Sequence, residues 1–160
     1  MRTSRLMRHV LEIFIELCRL SAACLSNLCG IIKQSKSLAT VTCHGNSIDD
    51  VGAAVIAEAI RQSQSLTTIN LKWNAIGNVG ASAIAEAIKQ SASLKNVNLG
   101  GNAIGSVGAH AIVEAIKQNN SLANVDLSWN PISLVEAHAI TEDIKQSKSI
   151  TTFVLQLPPE

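Results

Sequence analysis

Aromatic side chains are nearly missing from this sequence: it has no Tyr, two Trp and two Phe. Apolar residues still make up 47% of the chain, so any core must be built from Leu, Ile, Val and Ala. That suits many thin, similar layers better than one large interior. Formal charge is also scarce and almost balanced, with 13 basic against 12 acidic residues. The chain therefore lacks the basic footprint that nucleic acid or an anionic membrane surface demands.

Long apolar runs are absent too. Arg2, Arg5 and Arg8 precede an apolar stretch in the manner of a signal peptide, but Glu12, Glu16 and Arg19 interrupt it. No run reaches the ~18 residues of a membrane span. The four cysteines, at 18, 24, 29 and 43, include no CxxC pair and no histidine at finger-like spacing. The expectation is reduced thiols in a cytoplasmic protein, with no metal and no cofactor.

What the sequence has is a repeat. Four segments align without gaps, starting at Ser37, Ser65, Ser93 and Ser121, and a partial fifth starts at Ser149. The spacing is 28 residues throughout. Each unit opens like Leu66, Ile69, Leu71, Asn74 and Ile76. Ile69 and Leu71 alternate, as on one face of a short strand, which sends Asn70 and Lys72 to the other face. A turn and a helical run follow, in which Ala81, Ile84, Ala87 and Ile88 form one apolar stripe. One strand and one helix cannot bury both faces, whereas stacked copies can. The sequence thus predicts an α/β solenoid, with a parallel sheet on the concave side and helices on the convex side. Asn46, Asn74, Asn102 and Asn130 recur where each strand turns away, and their amides are expected to satisfy backbone groups there.

These units resemble leucine-rich repeats of the ribonuclease-inhibitor subtype, as in ribonuclease inhibitors, Ran GTPase-activating proteins and the C-terminal arrays of NOD-like receptors. The resemblance covers about residues 37–157. The wording NxIGxxGAxAIAEAIKxNxSL is most similar to the NOD-like receptor arrays. It implies a module for protein–protein contact, part of a receptor-like regulator, and not an enzyme. The alternatives are a regulator of a small GTPase, or a truncated chain with no independent role.

Residues 1–36 read as a helical cap or a degenerate repeat ahead of the array at 37–160. IIKQSK at 31–36 is in register with the repeats, with Leu25, Leu28, Ile31 and Ile32 on its apolar side. Upstream, Val10, Ile13, Ile15, Cys18 and Leu20 fit a strand unit. Leu6, Val10, Ile13, Leu17, Leu20 and Cys24 fit a helical stripe equally well. The helical cap is favoured, because a strand would expose Leu11 and Phe14.

Catalytic patterns are missing: there is no phosphate loop, GxSxG, HExxH or EF-hand motif. Cys43 and His44 are neighbours on a strand and leave it on opposite faces, so they do not form a nucleophile–base pair. His110 and His138 recur on the helices with no further ligand beside them. Glu58, Glu86, Glu114 and Glu142 precede Arg61, Lys89, Lys117 and Lys145 by three residues, as on a solvated helix face. Arg61 is the only arginine inside the clear repeats, and lysine replaces it in the other copies. That weakens an arginine-finger reading.

For a protein partner, the open sheet face collects Thr40, Thr42, His44, Thr68, Asn70, Lys72, Asn96, Asn98, Gly100, Asn124, Asp126 and Ser128. The residue that follows this face runs Gly45, Trp73, Gly101, Trp129 and Leu157 down the stack. Trp73, Trp129, Asn70, Lys72, Asn98 and Asp126 are the expected contact residues. Each Trp would either anchor a partner or lie over the neighbouring glycine and cover the turn. Open solenoid ends add an expectation of self-association.

Overall fold

The computed structural model describes residues 12–15 and 21–158. Within them strands and helices alternate: β1 (Glu12–Phe14), α1 (Ala22–Gln34), β2 (Thr40–Thr42), α2 (Asp50–Gln62), β3 (Thr68–Asn70), α3 (Asn78–Gln90), β4 (Asn96–Asn98), α4 (Ser106–Gln118), β5 (Asn124–Asp126), α5 (Leu134–Ile144) and β6 (Thr152–Val154). The strands form one sheet in the order β1 to β6, all parallel. Every partner lies 28 positions on, as Val41 opposite Ile69 and Ile69 opposite Val97. The repeat length is therefore the sheet register, and each turn of the chain adds one layer.

Alternation decides which side chains enter that layer. Val41, Ile69, Val97 and Val125, at the strand centres, are buried, while their neighbours face the open side. Leu71, Ile76, Ile84 and Ile88 complete the layer of the β3–α3 unit. Leaving each helix, the chain needs a partner for the N–H of the next buried leucine. Ser35, Ser63 and Ser91 supply it with a hydroxyl oxygen, accepting from Leu38, Leu66 and Leu94 at 2.9, 3.1 and 3.2 Å. Asn119 does the same for Leu122 at 2.7 Å.

The asparagine ladder forms as expected. Asn102 Nδ2 donates to the carbonyls of Leu71 and Leu99, and its Oδ1 accepts from Ile76 N. Asn74 and Asn130 repeat the pattern one layer before and after. Each amide thus ties two strand ends to the turn of the preceding layer, which keeps buried backbone groups paired.

Helix starts use a device that crosses between repeats. Gly77 and Gly105, at the N-caps of α3 and α4, have no side chain to cap with. Asp50 of the preceding repeat reaches over instead, and its Oδ1 accepts from Gly77 N at 2.7 Å and Gly80 N at 2.8 Å. Asn78 does the same for Gly105 N and Gly108 N, both at 2.9 Å. A Cβ on Gly80 would stand 2.7 Å from that Asp50 oxygen, so glycine is what lets the cap approach. Ser133 and Glu136 close a local capping box on α5.

The favoured helical reading of the N-terminal segment is corrected over the described residues. Glu12–Phe14 is a strand paired with Thr40–Thr42, and the helix begins only at Ala22. Asn46 Nδ2 donates to Ile15 O, so the ladder continues onto this strand. Pairing outweighs the exposure that spoke against a strand: Phe14 is indeed 63% exposed. Leu6, Val10, Leu11, Leu17, Cys18 and Leu20, which entered the two competing patterns, lie outside the described residues, as do Arg2, Arg5 and Arg8. Among the described residues, no helix is long and apolar enough to cross a membrane.

Candidate functional site

The open face of β3 to β6 is a shallow depression of about 280 Å³, lined mainly by alternate strand residues such as Thr68, Asn96 and Asn124. Amide and hydroxyl groups link up across it. Asn96 Nδ2 donates to Thr68 Oγ1 at 2.9 Å, and Asn124 Nδ2 donates to Asn96 Oδ1 at 2.6 Å. The side chains that line it are mostly uncharged amides, hydroxyls and valines, and Asp126 is the one carboxylate among them.

Three of the expected contact residues also shape their own turns. Asn70 Oδ1 accepts from Lys72 N at 3.0 Å, Asn98 Oδ1 from Gly100 N at 2.9 Å, and Asp126 Oδ1 from Ser128 N at 2.8 Å. A short polar side chain bonding to the backbone two residues on is a turn-forming device. Recurrence at the strand end was visible in the sequence, but it carries this structural role in addition to facing the open side.

Just beyond lies the tryptophan column. Gly45, Trp73, Gly101 and Trp129 all adopt positive φ, at 67°, 55°, 65° and 60°. Glycine takes that conformation freely, whereas a bulky side chain is rare there and strained. Trp73 is 48% exposed. Its inner face lies on Gly101, where a Cβ would come within 2.4 Å of ring atom Cε3. Lys72 Nζ sits 5.9 Å from the ring centroid, the outer range of a cation–π contact. Trp129 is half-buried. Trp73 therefore covers a glycine turn with one face and leaves the rest of the ring open to solvent. Lys72 stands beside it. Asn70, Asn98 and Asp126 line the depression, and Lys72, Trp73 and Trp129 follow in the turns that leave the strands.

The other candidates separate. Cys43 is fully buried, and desolvation together with the nearby Cys29 thiol pushes its pKa up to about 12. A thiol raised that far stays protonated near neutral pH, so it is not an activated nucleophile. Arg61 is engaged with Glu58 at 2.6 Å on the helix side, away from the open face. His110 Nδ1 lies 2.9 Å from Ser106 O on the helix surface. Among the described residues, no group of three or more His, Cys, Asp or Glu is placed to hold a metal ion.

A family model described as "Leucine Rich repeat" matches residues 62–85 and 90–113. The fold is a leucine-rich-repeat solenoid. Two solved structures share it. The tropomodulin C-terminal domain from Caenorhabditis elegans superposes with a TM-score of 0.73 at 20% identity, over 87% of this chain and 84% of that one. A leiomodin-1 structure titled "Actin-Binding Site 2" gives 0.69 at 16% identity, over 89% and 85%. At those identities the likeness concerns the fold. None of the curated proteins matches the sequence.

Proposed function

We propose that this leucine-rich-repeat solenoid is a protein-binding module that engages its partner through the open sheet face and the adjoining tryptophan rim. In this reading Trp73 is the anchor, Lys72 flanks it, and Asn70, Asn98, Asp126 and Trp129 complete the contact. One observation supports it above the others: a half-exposed tryptophan holds a left-handed backbone position that glycine fills in neighbouring layers. Strain at an exposed aromatic is the kind of local cost that a binding role explains.

The wider setting belongs to the same proposal. The module acts as the recognition part of a receptor-like regulator in the cytoplasm. The free thiols of Cys24, Cys29 and Cys43 suit a reducing compartment. A GTPase-regulating role has less support, because Arg61 is held by Glu58.

The test substitutes Trp73 by Gly, the residue its backbone favours. Actin is the first defined probe, since one structural neighbour is titled an actin-binding site. Co-sedimentation with actin filaments is followed by capture from lysate, each with wild-type and variant at equal folded concentration. Partners retained by the wild-type and lost by Trp73→Gly support the reading. Identical capture by both proteins sinks it.

A further inference from the structure

In a repeat, what recurs serves the layer, and a departure from the pattern needs another reason. Asp126 is such a departure. At its position in the two preceding layers, Asn70 and Asn98 turn their Oδ1 onto the backbone N–H two residues on, at 3.0 and 2.9 Å, and Asp126 Oδ1 does the same for Ser128 N at 2.8 Å. An amide therefore meets the need of the turn, and the charge of Asp126 has no task in it. Among the described residues, its Oδ2 accepts no hydrogen bond and the carboxylate joins none of the ion pairs. Asp126 is half-buried at the depression, where it is the one carboxylate.

The layer beside it departs as well. Gly100 stands in line with Lys72 of one neighbouring layer and Ser128 of the other. A Cβ placed on it would have three oxygens as its nearest neighbours: Ser128 O at 3.2 Å, Asn98 Oδ1 at 3.3 Å and Asp126 Oδ2 at 3.4 Å. Ser128 O already accepts from Gly101 N, and Asn98 Oδ1 from Gly100 N, which leaves each a second lone pair. Glycine thus lets three acceptors converge, one of them charged, with no cation of the chain to answer it. Lys72, two strand spacings or ~10 Å along the sheet, keeps its Nζ near the Trp73 ring instead.

We propose that this cluster receives an arginine side chain of the protein partner, so that a contact anchored on Trp73 also selects a basic residue two layers along the sheet. The inference rests on the protein-binding reading above. An arginine brings five N–H donors and no acceptor, in a planar fork that reaches several oxygens at once, whereas an ammonium acts as a point charge. Its bonds to a carboxylate are about twice as strong as neutral ones. Half-burial also spares the pair part of the screening that weakens surface ion pairs. Lys72 repels a basic group from the Trp73 end, which fixes the end at which the arginine enters.

The probe is N-acetyl-argininamide, titrated into the isotope-labelled full chain and followed by backbone amide NMR shifts. Saturable shifts at Gly100, Asp126 and Ser128 are expected, with half-saturation on the order of 1–10 mM for so small a probe. N-acetyl-glutaminamide, which keeps the amides and lacks the charge, should bind at least ~5-fold more weakly, and so should N-acetyl-argininamide to Asp126→Asn. That variant keeps the accepting oxygen that Asn70 and Asn98 use, so its unfolding midpoint should match the wild-type. Unmoved amides at ~50 mM argininamide overturn the proposal. Equal binding by glutaminamide, or by the variant, overturns it too. The rim reading is judged separately: if Trp73→Gly loses its partners while argininamide leaves Gly100 and Asp126 unmoved, the rim contact stands and the arginine subsite falls. Bound argininamide with identical capture by wild-type and Trp73→Gly instead sinks the rim reading, and with it the claim that the partner brings the arginine.

Discussion

The indole of Trp73 rests on Gly101 so closely that the glycine has no room for a Cβ: one built there would lie 2.4 Å from Cε3 and 2.6 Å from Cδ2 of the ring. Gly101 also sits at φ +65°. Steric exclusion and backbone conformation thus ask for the same residue, and the layer above sets the one below. Gly101→Ala should lower stability by about 1–3 kcal/mol through strain and displacement of the ring. The displaced indole should become more exposed, so tryptophan emission should shift to the red. Unfolding in denaturant and an emission spectrum read both effects. A stable variant with unchanged emission would contradict the contact.

A second contact between layers controls a helix start. Asp50 provides the cap that α3 cannot provide for itself. Asp50→Ala should therefore cost about 0.5–2 kcal/mol, the usual effect of removing a cap. Asp50→Asn should retain most of the stability, because Asn78 performs this task one repeat later with an amide oxygen. Thermal unfolding of the two variants side by side checks the order. Equal losses would mean that charge, not the accepted hydrogen bonds, is what matters.

These contacts show which parts of the molecule were legible in its sequence. The 28-residue period dictated the strand register, and the recurrent Asn46, Asn74, Asn102 and Asn130 announced the ladder, because both features repeat identically in every layer. The cap from Asp50 to Gly77 was not legible, since its partners lie 27 residues apart and match no local motif. Nor was β1, because three residues are too few to separate a strand from a helical stripe that shares Ile13. The site was half legible. Alternation placed Asn70, Asn98 and Asp126 on the open face, but their bonds to Lys72, Gly100 and Ser128 depend on turn geometry.

Two asparagines of one repeat separate the interior ladder from the open face. Asn102 is buried and holds Leu71 O, Leu99 O and Ile76 N. Asn102→Ala leaves Ile76 N without this acceptor and takes one of two amide donors from Leu71 O and Leu99 O, which keep Asn74 and Asn130, and it should cost about 1–3 kcal/mol. Asn96 is half-buried and bonds only to Thr68 and Asn124 side chains, which water can replace. Asn96→Ala should cost no more than about 0.5–1 kcal/mol. Chemical denaturation of both variants gives the comparison, and a larger loss at Asn96 would contradict the register.

Cys43 makes the stability depend on alkaline pH, and the sign can be worked out. Burial raises the thiol from an ordinary value of 9.0 to about 12 in the folded protein. Between those values the unfolded chain releases its proton while the folded one keeps it, so the unfolded state binds fewer protons. Stability is therefore fully present below pH ~9 and falls as pH rises toward ~12, by up to about 1.4 kcal/mol per pH unit from this group. Leu71, Leu99 and Leu127 fill the equivalent buried position in later repeats, so Cys43→Leu is the natural comparison. Over pH 9–11 the variant should lose less stability than the wild-type, and the difference isolates the thiol from other groups that titrate there. Thiol labelling gives an independent reading. Cys24 is exposed and should react in the folded protein, whereas Cys43 should react only on unfolding. Parallel pH curves for the two proteins, together with rapid labelling of Cys43 in the native state, would mean that this layer opens locally and does not seal the thiol.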